Sequence, residues 1–173
     1  MEANMKKYQR IFIIGHPGAG KALIAKEVAD KLAWQFVDAD FGLEFHMGRK
    51  LNDLFDQNGV HAFHQAETSV LKELLQKKNI VVTTDASIVF NNDSKELLKD
   101  DLIVYLKVST QVQLERNQTN PSAIMSSTQI KTFFDHLHAE RDHLYAELAT
   151  LVVDSDDNAV DKHVMRIVAE VNK

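Results

Sequence analysis

The sequence of 173 residues contains no cysteine, only 2 prolines and 6 glycines, and no apolar run long enough to span a bilayer. Without cysteine, the chain can form neither disulfides nor thiolate metal sites. Its net charge of -5 excludes the basic surface typical of proteins that bind nucleic acid or anionic membranes. The polar amino terminus resembles neither a signal nor a spanning segment. We therefore expect a cytoplasmic protein that binds neither nucleic acid nor membrane.

The chain has the composition of an ordinary globular protein, with 26% charged and 45% apolar residues. Its length is sufficient for one full core, so we expect residues 1–173 to form a single domain. Continuous apolar runs, typical of buried parallel strands, alternate with helical patterns. The predicted strands are 11–14, 35–37, 80–83, 102–108 and 151–153, and the predicted helices lie near 22–33, 60–77, 93–99, 110–117, 129–148 and 158–171. This alternation predicts an α/β fold with a five-stranded parallel sheet and helices on both faces.

A glycine-rich stretch follows the first predicted strand. Residues 15–22 read GHPGAGKA and match the phosphate-binding pattern G-x-x-x-x-G-K-[ST] except at Ala22, which replaces the hydroxyl residue. A strand, a loop and a helix in this order direct backbone N–H groups and the positive end of the helix dipole at a phosphate. The stretch therefore predicts a nucleotide site. Because Ala22 lacks the hydroxyl that normally holds Mg²⁺, we expect weakened Mg²⁺ binding.

Charged residues mark the rest of the predicted site. Asp38 and Asp40 follow the second predicted strand, where aspartate either caps a helix or serves a ligand. Arg141 falls on the apolar stripe of the long helix 129–148. A guanidinium in that position needs an anionic partner, which is either a bound ligand or an internal ion pair.

The polar segment 117–128 contains Pro121 and has no periodicity, so we expect a loop. Its length and its position before the long helix favour a lid over a simple connector. The histidines do not add a metal site to this picture, because their spacing in the sequence matches no common ligand set. The spacings considered are those of His61 with His64, and of His136, His138 and His143.

In their order and spacing, these motifs resemble the shikimate kinase family. The resemblance covers about residues 9–172 and includes further matches at Gly48, Phe55, Gly59, Phe63 with Glu67, and Leu114 with Arg116. It implies the three-layer P-loop kinase fold of nucleoside monophosphate kinases, with a lid loop at about 117–128. It also implies ATP and Mg²⁺ as cofactors and a small hydroxylated ring acid as acceptor.

The resemblance implies a role for each matching residue. Lys21 would contact the β- and γ-phosphates, and Asp38 would support Mg²⁺ through water. Asp40 would accept a hydrogen bond from the acceptor hydroxyl and activate it, which makes Lys21 and Asp40 the implied catalytic residues. Arg141 would bind the acceptor carboxylate. The implied nucleotide-binding set is Gly15, Pro17, Gly18, Ala19, Gly20, Lys21, Ala22 and Arg116.

Four departures from the family pattern fall on the chemistry. Besides Ala22, His64 replaces a second carboxylate-binding arginine, and Asn120 replaces an arginine of the lid. Residues 85–87, beginning with Asp85, replace a glycine triplet beside the acceptor. The site thereby loses two permanent cations and gains an anion, and one arginine can be worth about 10³–10⁵ in rate. We expect weak or absent activity on shikimate.

Other interpretations remain open. Asp85 follows an apolar strand, so it either helps to hold Mg²⁺, as a Walker B carboxylate does, or caps a turn. The chain is a kinase for shikimate or a related alcohol, a non-catalytic nucleotide-binding regulator or partner protein, or a kinase with a less anionic acceptor. In the last case His64 and Asp85 are pocket residues. The oligomeric state is not determined by the sequence, and a monomer is one reading.

Overall fold

A computed structural model of the chain describes residues 7–119 and 126–173. Within these residues, parallel strands form one five-stranded sheet in the order β2-β3-β1-β4-β5. The strands are β1 Arg10–Ile14, β2 Gln35–Ala39, β3 Ile80–Thr84, β4 Leu102–Lys107 and β5 Leu151–Asp154. The strand predictions are confirmed, and every predicted end lies within two residues of the observed one.

Helices cover both faces of the sheet because its central strands are apolar on both sides. The helices α1 Lys21–Leu32 and α8 Val160–Val171 pack on one face. The helices α4 Gln57–Leu74, α5 Asn92–Leu98 and α7 Ser127–Leu148 pack on the other. This arrangement confirms the predicted three-layer α/β fold. In the two described segments, no helix has both the length and the apolarity needed to cross a membrane.

Short helical segments after β2 and β3 were not predicted. They are α2 Leu43–Met47, α3 Leu51–Leu54 and the 3-10 helix Ala86–Phe90. Gly42 and Gly48 flank α2, with φ of 63° and 64° in the left-handed region that glycine adopts readily. Segments of four or five residues are too short to show a helical period in sequence, so their formation depends on tertiary contacts.

The predicted loop 117–128 is shortened at both ends by helix. The helix α6 Thr110–Thr119 runs into it from one side, and α7 begins at Ser127 on the other. Ser126 caps α7, since its hydroxyl accepts from Gln129 N at 3.3 Å while the Gln129 side chain accepts from Ser126 N at 2.9 Å. Residues 120–125, including Asn120 and most of the predicted lid, lie outside the described residues.

Candidate active site

The glycine-rich loop lies at the carboxyl end of β1, in the centre of the sheet. Gly15, Gly18 and Gly20 have φ of 151°, 75° and 88°, which glycine adopts without strain. A Cβ on Gly15 would also lie 2.8 Å from the main-chain oxygen of Leu106. The helix α1 begins directly after the loop, so its first N–H groups are available to an anion. This geometry suits a phosphate group.

Lys21 is buried against this loop, with 5% of its surface exposed. Its Nζ donates to the main-chain oxygens of Gly15 at 2.9 Å and His16 at 3.1 Å. The same nitrogen lies 3.3 Å from Asp40 Oδ2. The ammonium therefore joins the phosphate-binding loop to the predicted acceptor side. Ala22 is exposed beside it and offers only an apolar methyl group.

Asp38 and Asp40 shape the turn after β2. Asp38 Oδ1 accepts from Asp40 N at 3.0 Å and from the hydroxyl of Thr83 at 2.7 Å. Asp40 Oδ1 accepts from Gly42 N at 3.0 Å, and its second oxygen faces Lys21. These hydrogen bonds close the turns that precede α2, but no side chain caps that helix, so the helix cap considered for the two aspartates is not observed. The contacts do not exclude a second role, because Asp40 keeps one oxygen on the site side.

Arg141 forms a buried, two-pronged ion pair with Glu44. Its Nη1 and Nη2 donate to Glu44 Oε1 and Oε2, both at 2.7 Å, and the two side chains are 2% and 3% exposed. Burial by itself would lower the pKa of Arg141, but the hydrogen bonds to Glu44 and its negative charge raise that pKa above the ordinary value. The internal ion pair considered for Arg141 is therefore present. No sequence motif indicated Glu44 as the partner of Arg141.

His64 lies on α4 and faces a polar groove of about 510 Å³ that Asn91 also lines. Its Nε2 is buried and has no hydrogen-bond partner among the described residues. Burial, and then the charge of His61, lower the pKa of His64, while Glu44 acts in the opposite direction. The imidazole is therefore neutral at physiological pH and does not supply the charge of an arginine.

Asp85 caps the 3-10 helix that follows β3. Its Oδ1 accepts from Ser87 N at 2.9 Å and from Ser87 Oγ at 2.6 Å, and the residue is 3% exposed. Burial raises its pKa, and the charges of Asp40 and Glu44 add to this effect. The three carboxylates line one small cavity of about 80 Å³ beside Gly18. The capping role considered for Asp85 is observed, and a role in Mg²⁺ binding stays a prediction.

Comparison with known proteins places this site in a family. The sequence model described as shikimate kinase matches residues 17–172. The chain belongs to the shikimate kinase family. A shikimate kinase from Francisella philomiragia is 33% identical over 166 residues, which cover 94% of each chain. One from Colwellia psychrerythraea is 30% identical over 171 residues, 97% of this chain and 99% of the other.

Solved structures of the shikimate kinase family agree with the fold. A shikimate kinase from Acinetobacter baumannii in complex with shikimate aligns with a TM-score of 0.74 at 26% identity, covering 94% of this chain and 92% of that one. A gluconokinase from Sinorhizobium meliloti aligns with a TM-score of 0.60 at 18% identity, covering 96% and 93% of the two chains. The second likeness shows the fold alone.

Three of the four departures from the shikimate kinase pattern lie around one site. Ala22 follows Lys21, and Asp85 shares its cavity with Asp40 and Glu44. His64 lies close enough to Glu44 for that charge to affect its pKa. The fourth departure is at position 120, outside the described residues. These substitutions therefore change one electrostatic environment rather than separate parts of the surface.

A buried polar cluster adjoins His64 between α4 and α5. Asn91 Nδ2 donates to Glu67 Oε1 at 2.8 Å, to Ser94 Oγ at 2.7 Å and to the main-chain oxygen of His64 at 3.0 Å. Burial raises the pKa of Glu67 to about 7, partly offset by the hydrogen bond from Asn91. Glu67 matched the shikimate kinase spacing in sequence, whereas no motif pointed to Asn91.

Arg116 lies across the glycine-rich loop. Its Nη1 donates to the main-chain oxygen of Ala19 at 3.2 Å. Its Nη2 donates to the main-chain oxygen of Ser155 and to Asn158 Oδ1, both at 2.8 Å. The guanidinium thereby joins the loop to the turn after β5. Its contact with a nucleotide stays a prediction.

One polar cluster beside the loop was not predicted. His16 is fully buried, its Nε2 lies 2.5 Å from Asp142 Oδ1, and burial lowers its pKa to about 3. His138 and Tyr105 contact the same Asp142 oxygen, and Gln113 contacts His138. Because His16 and Asp142 are 126 positions apart, no local spacing signals their contact.

Proposed function

We propose that this chain binds ATP at residues 15–22 and transfers its γ-phosphoryl group to shikimate weakly or not at all. Support for ATP binding comes from the three positive-φ glycines, the buried Lys21 and the N-terminus of α1. Family membership supports the same cofactor. ATP supplies the phosphoryl group, while the protein contributes placement and charge neutralisation.

We assign each residue of the site a role from its position. The Lys21 ammonium neutralises charge on the β- and γ-phosphates, and Arg116 borders the nucleotide. Asp40 accepts a hydrogen bond from the acceptor hydroxyl through the oxygen that faces Lys21. Asp38 supports Mg²⁺ through water. Mg²⁺ binding is weakened, because Ala22 has no hydroxyl oxygen that could act as a ligand of the ion.

The proposal of weak shikimate activity rests on one observation, the charge balance of the acceptor side. Glu44 already neutralises Arg141, so net attraction for an acceptor carboxylate would have to come from a second cation. Position 64 offers a neutral imidazole instead of an arginine. Imidazole also cannot form the two parallel hydrogen bonds that a guanidinium makes with a carboxylate. Asp85 adds a further carboxyl group to the cavity that Asp40 and Glu44 line.

The first test is ADP production from Mg·ATP by the purified protein, with and without saturating shikimate. We expect calorimetry to detect ATP binding and shikimate to change the rate of ADP production little. The variant Lys21→Met is the control for a contaminating kinase, since it removes the phosphate-binding ammonium. Shikimate-dependent turnover at an ordinary enzyme rate of about 1–10³ s⁻¹ would overturn the proposal of weak activity.

A second experiment restores the family pattern in the variant Ala22→Ser, His64→Arg, Asp85→Gly, Asn120→Arg. We expect its shikimate-dependent rate to rise by at least about 10²-fold, the scale of one electrostatic contact to a transition state. Adding Lys21→Met to this variant should abolish the gain. If the fourfold variant gains nothing, these positions are not the cause of weak activity.

A kinase with a less anionic acceptor is the second candidate function. The observation that favours it is the cavity of about 80 Å³ lined by Asp40, Glu44 and Asp85. Such a surface repels a carboxylate and accepts hydrogen bonds from hydroxyl or ammonium groups. A panel of neutral polyols and amino alcohols in the ADP assay tests this candidate. Stimulation by one of them supports it, whereas ATP binding without any stimulation favours a non-catalytic regulator or partner protein.

A further inference from the structure

The side chains of two histidines and an aspartate meet beside the glycine-rich loop, and none of these side chains has a role in the proposed ATP or acceptor site. His138 and Asp142 lie one turn apart on α7, and His16 approaches them from the loop. His16 Nε2 lies 2.5 Å from Asp142 Oδ1, and His138 Nδ1 lies 2.9 Å from the same oxygen. One ligand atom from each residue falls within 4.8 Å of the other two. Three metal-ligating groups therefore converge on one point.

The orientation of His138 follows from its neighbour Gln113. Gln113 Nε2 donates to the main-chain oxygen of Pro17 at 2.8 Å, and this contact is buried. The amide oxygen of Gln113 must then be the atom that faces His138 Nε2, at 2.7 Å. An oxygen accepts, so His138 Nε2 donates and carries the hydrogen.

The other nitrogen of His138 then faces a carboxylate. In a neutral ring with hydrogen on Nε2, Nδ1 presents a lone pair, and it lies 2.9 Å and 3.1 Å from the two oxygens of Asp142. Two acceptors at this distance repel each other. A positive species, either a second proton on the ring or a metal ion, is therefore needed between His138 and Asp142.

Two further contacts favour the metal ion over the proton. His16 directs a second imidazole nitrogen at the same Asp142 oxygen, so the carboxylate faces two rings rather than one. Tyr105 donates its hydroxyl hydrogen to Asp142 at 3.2 Å, and Gln113 holds His138. Metal-binding histidines and carboxylates are held in this way by neighbouring hydrogen bonds. The Asp142 side chain is 47% exposed, which leaves access for the ion and a place for water as a further ligand.

We propose that His16, His138 and Asp142 bind one divalent transition-metal ion, of which Zn²⁺ best fits two imidazoles and a carboxylate. This ion is distinct from the Mg²⁺ that accompanies ATP, because Mg²⁺ prefers oxygen ligands. Its position joins the phosphate-binding loop to α7. His16 links the ion to Lys21, because its main-chain oxygen accepts a hydrogen bond from Lys21 Nζ.

The test is a Zn²⁺ titration of the tag-free, nucleotide-free full chain in competition with a chromophoric chelator. We expect saturation at one ion per chain. The variants His138→Gln and Asp142→Asn should each lower the affinity by more than about 100-fold. Gln113→Ala, which removes only the orienting partner of His138, should lower it about 10–100-fold.

His136→Gln and His143→Gln are the matched controls, because both residues are exposed on the same helix and each change removes one imidazole. We expect both controls to bind Zn²⁺ with the affinity of the unaltered chain. Equal affinity in His138→Gln and His143→Gln would overturn the proposal. So would the absence of saturable binding by the unaltered chain, and His138 would then carry a proton towards Asp142.

Co²⁺ substitution gives a second measurement that needs no variant of the cluster. Bound at this site, Co²⁺ should show the intense visible absorption of a four-coordinate ion with nitrogen and oxygen ligands. The weak absorption of six-coordinate Co²⁺ would count against the site. Circular dichroism shows whether each variant is folded. If Asp142→Asn is unfolded, the Co²⁺ spectrum of the unaltered chain and the Zn²⁺ affinity of Gln113→Ala test the metal site instead.

Discussion

Replacing Glu44 by glutamine should destabilise the protein strongly, because it removes the negative charge that faces the buried guanidinium of Arg141. Both hydrogen bonds of the pair measure 2.7 Å, and the Arg141 and Glu44 side chains are 2% and 3% exposed. Glutamine keeps the size of the side chain and an oxygen for Leu51 N, whereas its amide nitrogen places a donor against Arg141 Nη1. The change therefore removes the charge and one acceptor. Breaking such a pair on one side costs about 3–5 kcal/mol. That is a large part of a typical folding free energy of about 5–15 kcal/mol.

Urea unfolding, followed by circular dichroism and by the fluorescence of the buried Trp34, measures this effect. We expect a lower transition midpoint with an unchanged slope. A double-mutant cycle with Arg141→Gln isolates the pair, since the double variant leaves no unpaired charge. Its free-energy loss should be smaller than the sum of the two single losses.

The exposed pair of Glu96 and Lys99 provides the control, because water solvates both groups there. Glu96→Gln should leave the midpoint of unfolding unchanged. A loss of less than about 1 kcal/mol in Glu44→Gln, or a double variant whose loss equals the sum of the single losses, would refute our account of this ion pair.

Two further predictions concern the buried residues Glu67 and Leu137. Burial raises the pKa of Glu67 from 4.5 to about 7, so between these pH values the folded protein keeps a proton that the unfolded chain releases. The contribution of Glu67 to stability should therefore fall as pH rises through this window, by up to about 3 kcal/mol. Because His16 and His64 have lowered pKa values and act in the opposite direction, the measured quantity is the difference in free energy of unfolding between the unaltered chain and Glu67→Gln in urea. Leu137 is fully buried and packs with Phe134 and the partly buried Phe45, which joins α7 to α2, and Leu137→Ala should cost about 2–5 kcal/mol in the same measurement.

Each of these predictions has a contrary result. If the difference in free energy of unfolding between the unaltered chain and Glu67→Gln does not change between pH 4.5 and 7, Glu67 titrates normally in the folded protein. For the core substitution, Met165→Ala is the control, because Met165 is 54% exposed and its loss should change stability by less than about 0.5 kcal/mol. Equal costs for Leu137→Ala and Met165→Ala would contradict the packing described here.

The architecture was largely predictable because its signals are local. Five apolar runs identified the strands, since parallel strands covered on both faces need apolar residues on both sides. The glycine-rich loop could be found for a similar reason, because its positive φ angles require particular residues at fixed spacing. The short helices around Gly42 and after Asp85 were missed, since they are stabilised by caps and packing rather than by a period.

The site was predictable only as a set of candidates. The position of Arg141 on an apolar stripe was sufficient to require a partner, but not to choose between a ligand and a residue of the chain. For Asp85 the capping contact likewise depended on where Ser87 would lie, and its role in Mg²⁺ binding stays a prediction. In both cases the sequence limited the possible chemistry, and the neighbours decided which contact formed.

The sequence by itself determined the fold class and the glycine-rich loop, because the signals for both depend on residues close together in the chain. Only the tertiary structure decided which distant charges meet. Glu44 and Arg141 are 97 positions apart, and His16 and Asp142 are 126 apart. Packing of α2 and α7 around the carboxyl ends of the strands brings these groups together. Burial there lowers the pKa of His64 and raises those of Glu67 and Asp85, because removing water disfavours their charged forms.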